Sequence, residues 1–336
     1  MGGAGVPGRV LITRPIPNPG TPMVREFATE VIANEEDRSL SPMELREAVR
    51  GCDAVVCLLT DTIDAAVLEA ADRCRIVANV AVGYNNIDVA EATRRGIWVT
   101  NTPGVLTEAT ADLAWTLILG VARRVAEGDR TMRAGAFPGW SMFYMLGGDV
   151  SGRTLGLIGP GRIAAAVARR AVGFGMTLLY HGIEASPELE ALGGRAVSFE
   201  ELLKSSDFVT LHVPLAEDTR HLIDADALRL MKPTAYLINT SRGPVVDERA
   251  LVEALKAGTI AGAGLDVYED EPRMADGLAE CPNTLLLPHL GSATHATRAS
   301  MARVAAENVR AVLEGERPPN PVDPNVTPRF SAMSGA

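Results

Sequence analysis

Three polar side chains late in the chain are of the types needed to place a hydride and a proton on a carboxylate-bearing ketone. Arg242 stands in Asn239-Thr240-Ser241-Arg242-Gly243, Glu271 in Asp266-Val267-Tyr268-Glu269-Asp270-Glu271-Pro272, and His289 in Leu287-Pro288-His289-Leu290-Gly291-Ser292. A guanidinium fork captures a carboxylate through two parallel hydrogen bonds. A Glu beside a His favours the imidazolium, which then gives up its proton near neutrality. Each residue alone has a plainer reading: Arg242 as a helix cap or a partner of Asp247, Glu269 to Glu271 as a solvated acidic turn, His289 as a structural histidine. Each closely follows a strand-like run, and together they read as equipment for reducing a ketone. His181, His212 and His221 have no comparable setting, and His295 is expected to support the same site at most.

A dinucleotide loop precedes these residues. Gly159-Pro160-Gly161-Arg162-Ile163-Ala164 lies between the strand-like run 154–158 and an Ala-rich helix pattern over 163–172. Gly159 permits the tight turn, Gly161 lets the backbone approach a pyrophosphate, and Ala164 allows helix and strand to pack closely. Arg162 and Ile163 open the helix, whose first amides would meet the diphosphate.

The elements that must position these groups alternate along the whole chain. Strand-like runs at 9–13, 54–59, 76–80 and 97–100 are separated by helix patterns near 43–50, 65–71 and 89–95. A second series of strands runs through 154–158, 177–180, 208–213, 236–240, 264–267 and 284–287. Strands that alternate with helices call for parallel sheets, so the fold class is α/β with two doubly wound parallel sheets. Residues 107–133 contain no proline and are apolar nearly all round at first, which predicts one long covered helix joining the domains. A final helix over 294–313 is expected to pack back on the first domain, and the tail after Pro328 to stay outside the fold.

With 336 residues, 47% of them hydrophobic and 22% charged, the chain can bury two cores. Residues 1–101 and 293–336 are expected to form a substrate domain and 102–292 a dinucleotide-binding domain, with a cleft between them. Four cysteines without CxxC spacing, and no His or Cys pair at ligand spacing, exclude a disulfide scaffold and argue for no metal. A net charge of −10 works against a nucleic-acid partner. No apolar run reaches a membrane span and the first eight residues carry no export signal, so a cytoplasmic protein without membrane contact is expected.

In these motifs, and in 76–88 (IVANVAVGYNNID) and 101–112 (NTPGVLTEATAD), the chain resembles the D-isomer-specific 2-hydroxyacid dehydrogenases, glyoxylate/hydroxypyruvate reductases above all. The resemblance runs from about Arg9 to Pro321. It implies a Rossmann-like coenzyme domain, a smaller flavodoxin-like substrate domain and an NAD-dependent reductase of small 2-oxo acids, with NADP also possible. It implies that Arg242 binds the substrate, that His289 is the acid/base oriented by Glu271, and that Val82 and Gly83 offer backbone amides to the carboxylate. It further implies that Asp266 holds the nicotinamide carboxamide and that Val213, Pro214, Thr240 and Gly291 line the coenzyme. Asn85 departs from the Asp usual in such chains. Two other readings of the motifs stand beside this one, a phosphite or formate dehydrogenase and a nucleotide-sensing corepressor-like binding protein. Formate enzymes resemble the family but carry Gln where Pro288 stands, and no N-terminal element supplies a corepressor's peptide groove.

Coenzyme choice and assembly turn on two shorter segments. By the same resemblance the acid that marks NAD would fall at Gly182 and the Arg of NADPH-using members at or beside Ile183; the turn His181-Gly182-Ile183-Glu184 lacks both, and Glu184 tips the expectation to NADH. The aromatic stretch 137–146 (FPGWSMFYML), with the 107–133 helix, is expected to form a homodimer interface, Trp140 matching a Trp that reaches toward the neighbouring subunit in the resembling reductases.

Overall fold

The computed structural model describes residues 6–329, so the expectations for the extreme N-terminus and for residues 330 onward lie outside the described residues. The chain divides into two compact units, Met1–Leu106 with Thr294–Ala336, and Thr107–Ala293.

The first unit is a five-stranded sheet in which every pairing is parallel, β1 (Val6–Ile12), β2 (Ala28–Ala33), β3 (Ala54–Cys57), β4 (Ile76–Asn79) and β5 (Trp98–Thr100), in the order β2-β1-β3-β4-β5. Helices α1 (Gly20–Phe27), α2 (Pro42–Ala48), α3 (Ala65–Ala70) and α4 (Val89–Arg94) make the crossovers. This is the flavodoxin-like order. The central strands are fully buried and β-branched, as a sheet covered on both faces requires. Side chains of Ser41, Asp64 and Asp88 cap α2, α3 and α4 by accepting first-turn amides, which fixes where each helix begins.

The second unit opens with α5 (Thr107–Ala122) and α6 (Val125–Arg133) and continues through β6 (Thr154–Ile158), α7 (Arg162–Val172), β7 (Thr177–His181), α8 (Pro187–Ala191), β8 (Arg195–Ala196), α9 (Phe199–Ser205), β9 (Phe208–Leu211), α10 (Ala225–Leu230), β10 (Tyr236–Asn239), α11 (Glu248–Ala257), β11 (Gly262–Leu265) and β12 (Thr284–Leu286). Its seven strands lie in the order β12-β11-β10-β9-β6-β7-β8, parallel throughout. Numbered within the unit this is 7-6-5-4-1-2-3, the Rossmann order with one strand added. The order reverses between β6 and β9, the switch point at whose carboxyl edge sheets of this kind bind their ligands. Ala164, Ala165 and Ala168 of α7 are fully buried, and Trp115 of α5 donates its indole N–H to the Val167 carbonyl at 3.0 Å. The chain then returns to the first unit, where α12 (His295–Leu313) packs on α1, β3 and β4, and Arg75 donates to the Val312 and Leu313 carbonyls at its C-terminus.

The single helix expected over 107–133 is two. The chain breaks at Arg124, whose φ is +54°, because the Ala122 carbonyl accepts from the Gly148 amide instead of continuing the helix. Arg124 binds Glu127 with both arms of its guanidinium and starts α6 in a new direction. The strand expected at 264–267 sits two residues earlier, and α1, β2 and β8 had no strand-like or helix-like pattern to announce them.

Candidate active site

The site residues of the second unit come from loops at the carboxyl edge of its sheet. The first is the glycine loop after β6. Gly159 has φ +89°, and a Cβ there would stand 2.8 Å from the backbone of His212 and Val213, the segment leaving β9. Only glycine lets these two loops touch at the switch point. A Cβ on Gly161 would meet nothing within 4 Å, and α7 begins after Gly161 with no side chain capping its free amides. Space beside an uncapped helix N-terminus suits a diphosphate. Thr240, at the end of β10, is buried with its Oγ1 unpartnered among the described residues, a hydroxyl that a bound dinucleotide could satisfy. The residues therefore fit a dinucleotide: Gly159, Gly161, Arg162 and Ile163 at the turn, Val213 and Pro214 across it, and Thr240 beyond.

The loop after β10 carries Arg242. Asn239 braces it, accepting from the Ser241 amide and hydroxyl and donating to the Arg242 carbonyl at 2.9 Å. Arg242 donates one guanidinium hydrogen to the Ser241 carbonyl. Burial pulls its pKa down, while the nearby Glu271 carboxylate opposes that pull. Asp247 is occupied in capping α11 through the Ala250 amide. A Cβ on Gly243 would strike the Tyr268 and Glu269 backbone, so the Arg242 loop lies directly against the next one.

That next loop, after β11, is anchored by Asp266 and carries Glu271. Asp266 is buried; its Oδ1 accepts from the Leu290 amide at 2.6 Å and its Oδ2 from the Gly291 amide at 2.8 Å. Burial raises its pKa against the pull of those two amides and of His289. Both oxygens implied for a nicotinamide carboxamide thus already hold the His289 turn in place, and a carboxamide would have to share them. Gly291, implied as a coenzyme contact, has its carbonyl taken by the Thr110 hydroxyl at 3.1 Å.

His289 stands at φ +55°, its amide donating to the Asp266 carbonyl. Its Nδ1 meets Glu271 Oε2 at 2.9 Å, and Glu271 Oε1 accepts from the Tyr268 amide. Burial alone would raise the Glu271 pKa, but the hydrogen bond and charge of His289, with the Tyr268 amide and Arg242, hold it below the usual carboxylate value. The structure therefore brings Arg242, Glu271 and His289 together. The acidic turn is not simply solvated: Glu269 binds His221 and Arg220, Asp270 binds Arg273, and Glu271 binds His289. His295 begins α12 in the other unit.

The remaining candidates, Val82 and Gly83, lie in the first unit after β4. The carbonyls of Ala81, Val82 and Gly83 are tied in turn to the Thr102 amide, the Asn101 side chain (2.7 Å) and the Asn79 side chain (2.9 Å). In planar trans peptides the amides of Val82, Gly83 and Tyr84 then point the opposite way. Glu248 and Tyr268, which brace the catalytic loops, went unread.

The strand order and the glycine turn at its switch point place the second unit among the dinucleotide-binding domains of α/β oxidoreductases. Residues 115–291 match the family model described as D-isomer specific 2-hydroxyacid dehydrogenase, NAD binding domain. The chain is 54% identical over 321 residues to the glyoxylate reductase of Korarchaeum cryptofilum, covering 95% of this chain and 96% of that one. Among solved structures, a Thermus thermophilus protein superposes with TM-score 0.88 at 46% identity, covering 94% of this chain and 100% of that one. The NADPH-dependent glyoxylate/hydroxypyruvate reductase of Sinorhizobium meliloti, solved with NADP and malonate, superposes with TM-score 0.84 at 34% identity, covering 97% and 99%. The chain belongs to the D-isomer specific 2-hydroxyacid dehydrogenases.

Among the described residues no three His, Cys, Asp or Glu side chains are grouped to hold a metal ion, and no helix is long and apolar enough to cross a membrane.

Proposed function

We propose that the chain reduces glyoxylate, and hydroxypyruvate with it, to the 2-hydroxy acid at the expense of a reduced nicotinamide dinucleotide, NADH in preference to NADPH. The observation that carries this reading is the His289–Glu271 pair set beside the half-buried Arg242 guanidinium at the carboxyl edge of a dinucleotide-binding sheet. Held by the glycine turn, Val213, Pro214 and Thr240, a bound reduced nicotinamide would supply the hydride that the 2-carbon needs. Arg242 grips the carboxylate and polarises the carbonyl, and His289 gives its proton to the oxygen. With Nδ1 held by Glu271, Nε2 is the ring nitrogen left to face the substrate. The Glu271 carboxylate stabilises the imidazolium before transfer, and solvent restores the proton afterwards. For Val82 and Gly83 the proposed role is the one the resemblance implies, to offer backbone amides to a carboxylate. Names of the similar proteins, glyoxylate reductases in two archaeal genera among them, support the substrate class.

We further propose a homodimer built on α6 and the exposed stretch after it. A reducing compartment, the cytoplasm, suits four buried thiols that are all free.

Nicotinamide absorbance followed with glyoxylate, hydroxypyruvate, formate and phosphite in turn tests the reading. Turnover is expected with the two 2-oxo acids; turnover confined to formate or phosphite, or none at all, overturns it. His289→Asn should lower kcat by roughly a hundred to ten thousand fold, the range for losing a general acid. Near-normal turnover in that variant would remove His289 from the chemistry.

A further inference from the structure

Glu248, the first residue of α11, is only 3% exposed. Its Oε1 accepts from the Glu269 amide at 2.5 Å and its Oε2 from the Ala275 amide at 2.8 Å. These two amides stand on either side of Glu271. We infer that Glu248 is a positioning residue for the reduction, holding both ends of the 269–275 loop so that the Glu271 carboxylate meets His289. The inference rests on the proposed roles of Glu271 and His289.

Its own helix does not need this carboxylate, because Asp247 already caps α11. A carboxylate so deeply buried is costly, and a well-packed apolar side chain in its place is often neutral or better for stability. Here an apolar residue would leave two part-buried amides without their acceptor on the loop that carries Glu271. The loop's other backbone ties are local, the Tyr268 amide to Glu271 and the Arg273 amide to the Asp270 carbonyl, and the Glu269 side chain reaches Arg220 and His221 at one end only. Glu248 alone joins the two ends to a rigid helix, the kind of support that keeps a catalytic group within reach of its partner.

Around the Glu271–His289 pair stand Arg242 from the loop after β10, Asp266 and Tyr268 from the start of the same loop, and Glu248 and Glu269 behind it. Glu269 is itself paired with Arg220 and in contact with His221 Nε2. Glu248→Gln replaces one acceptor by an NH2 group that opposes an amide N–H, and Glu248→Asp keeps the charge but withdraws it by one methylene. Both alter the loop's anchorage while leaving every group proposed to touch substrate unsubstituted.

The experiment is a double-mutant cycle between Glu248→Gln and Glu271→Gln, read as pH profiles of kcat/KM for glyoxylate and as an NMR titration of the His289 ring in the free enzyme. Glu248→Gln alone should lower kcat/KM about tenfold or more, as small misplacements of catalytic groups do, and move both the basic limb and the ring titration toward lower pH. In the Glu271→Gln background it should change neither further. Glu248→Asp should move limb and titration in the same direction, which separates position from charge and carries the cycle if the Gln variant does not fold. A lower melting temperature with limb and titration unmoved, full additivity with Glu271→Gln, or a Glu248→Asp variant matching the wild type would each overturn the inference. If Glu271→Gln alone moves neither readout, the assignment of Glu271 fails instead.

Discussion

Glu271 and His289 meet at 2.9 Å, and their meeting ties both activity and stability to pH. Glu271→Gln should carry the basic limb of kcat/KM toward acid, because the imidazolium loses its negative neighbour. A limb that stays in place would return Glu271 to the status of a surface acid. For stability, the native Glu271 pKa lies below its ordinary 4.5 despite burial. The native state then binds fewer protons than the unfolded one, so the contribution is complete above the ordinary value and lost as pH falls through the depressed one. His212 has the same sign over a wider window. Burial pushes its ring down to about 3 from 6.5, so the unfolded chain takes up a proton that the native chain refuses. Stability should fall as pH drops from about 6.5 toward 3, and His212→Gln should flatten the loss of Tm between about pH 7 and pH 5. An equal loss in variant and wild type would refute this. Arg242, Glu271 and His289 were legible because each follows a strand-like run, 236–240, 264–267 and 284–287 in turn. Glu248 and His221 were not, since their partners lie 21 and 48 residues away and an acid at a helix start reads as a partner of the helix dipole.

Among the elements, buried strands were legible and edge elements were not. β3 and β4 are continuous apolar runs, whereas β2 (ATEVIA) is an edge strand whose alternation is blurred by partial exposure, and β8 has only two residues. The helix break at Arg124 follows from a return contact with Gly148, which no local pattern encodes. At the glycine loop the sequence pattern and the structure converge, and the cost of change can be stated. Gly159→Ala would place a methyl group 2.8 Å from backbone at a positive φ. The strain should cost about 1–3 kcal/mol of stability, measured from the denaturant midpoint, and weaken coenzyme binding. A variant with wild-type midpoint and coenzyme affinity would show that the switch-point loops are looser than their contact implies. The turn after β7 bears on coenzyme choice. A Cβ on Gly182 would stand 2.2 Å from Pro160 Cδ, so Pro160 excludes the acid that would mark NAD there. Ile183 is almost fully exposed, His181 Nδ1 is engaged with the Val197 carbonyl at 3.1 Å, and Glu184 is the nearest charge along the turn. An acid within about 8 Å opposes a 2′-phosphate, so kcat/KM for glyoxylate should favour NADH modestly. A tenfold advantage for NADPH, about 1.4 kcal/mol, would overturn that preference.

For the whole molecule the open quantity is the number of chains in the assembly. The all-round apolarity of α5 first pointed to a subunit interface, but its own unit accounts for it: Ala111, Ala114, Leu117, Ile118 and Val121 are buried, and the helix packs on α7, β10, β11 and β12. The surface that calls for a partner lies further along the chain, on α6 and the stretch beyond it. No residue of α6 is buried, and Val125 and Met132 on it are exposed. Past its end Trp140 is 81% and Phe143 84% exposed, with Phe137, Met142 and Leu146 also open. These side chains therefore do not serve as the intramolecular core that the sequence left as their alternative. Large apolar residues gathered this densely on a surface mark an interaction site, and aromatic anchors dominate interface energies. A second copy is the proposed occupant because the resemblance matches Trp140 to a Trp that reaches toward a neighbouring subunit. Light scattering at micromolar concentration should give twice the 35.5 kDa chain mass. Trp140→Ser and Phe143→Ser should each weaken association by roughly 2 kcal/mol, about thirtyfold in Kd. A wild-type protein that scatters as a monomer would end the proposal, and one that dimerises undiminished in both variants would move the interface away from this stretch.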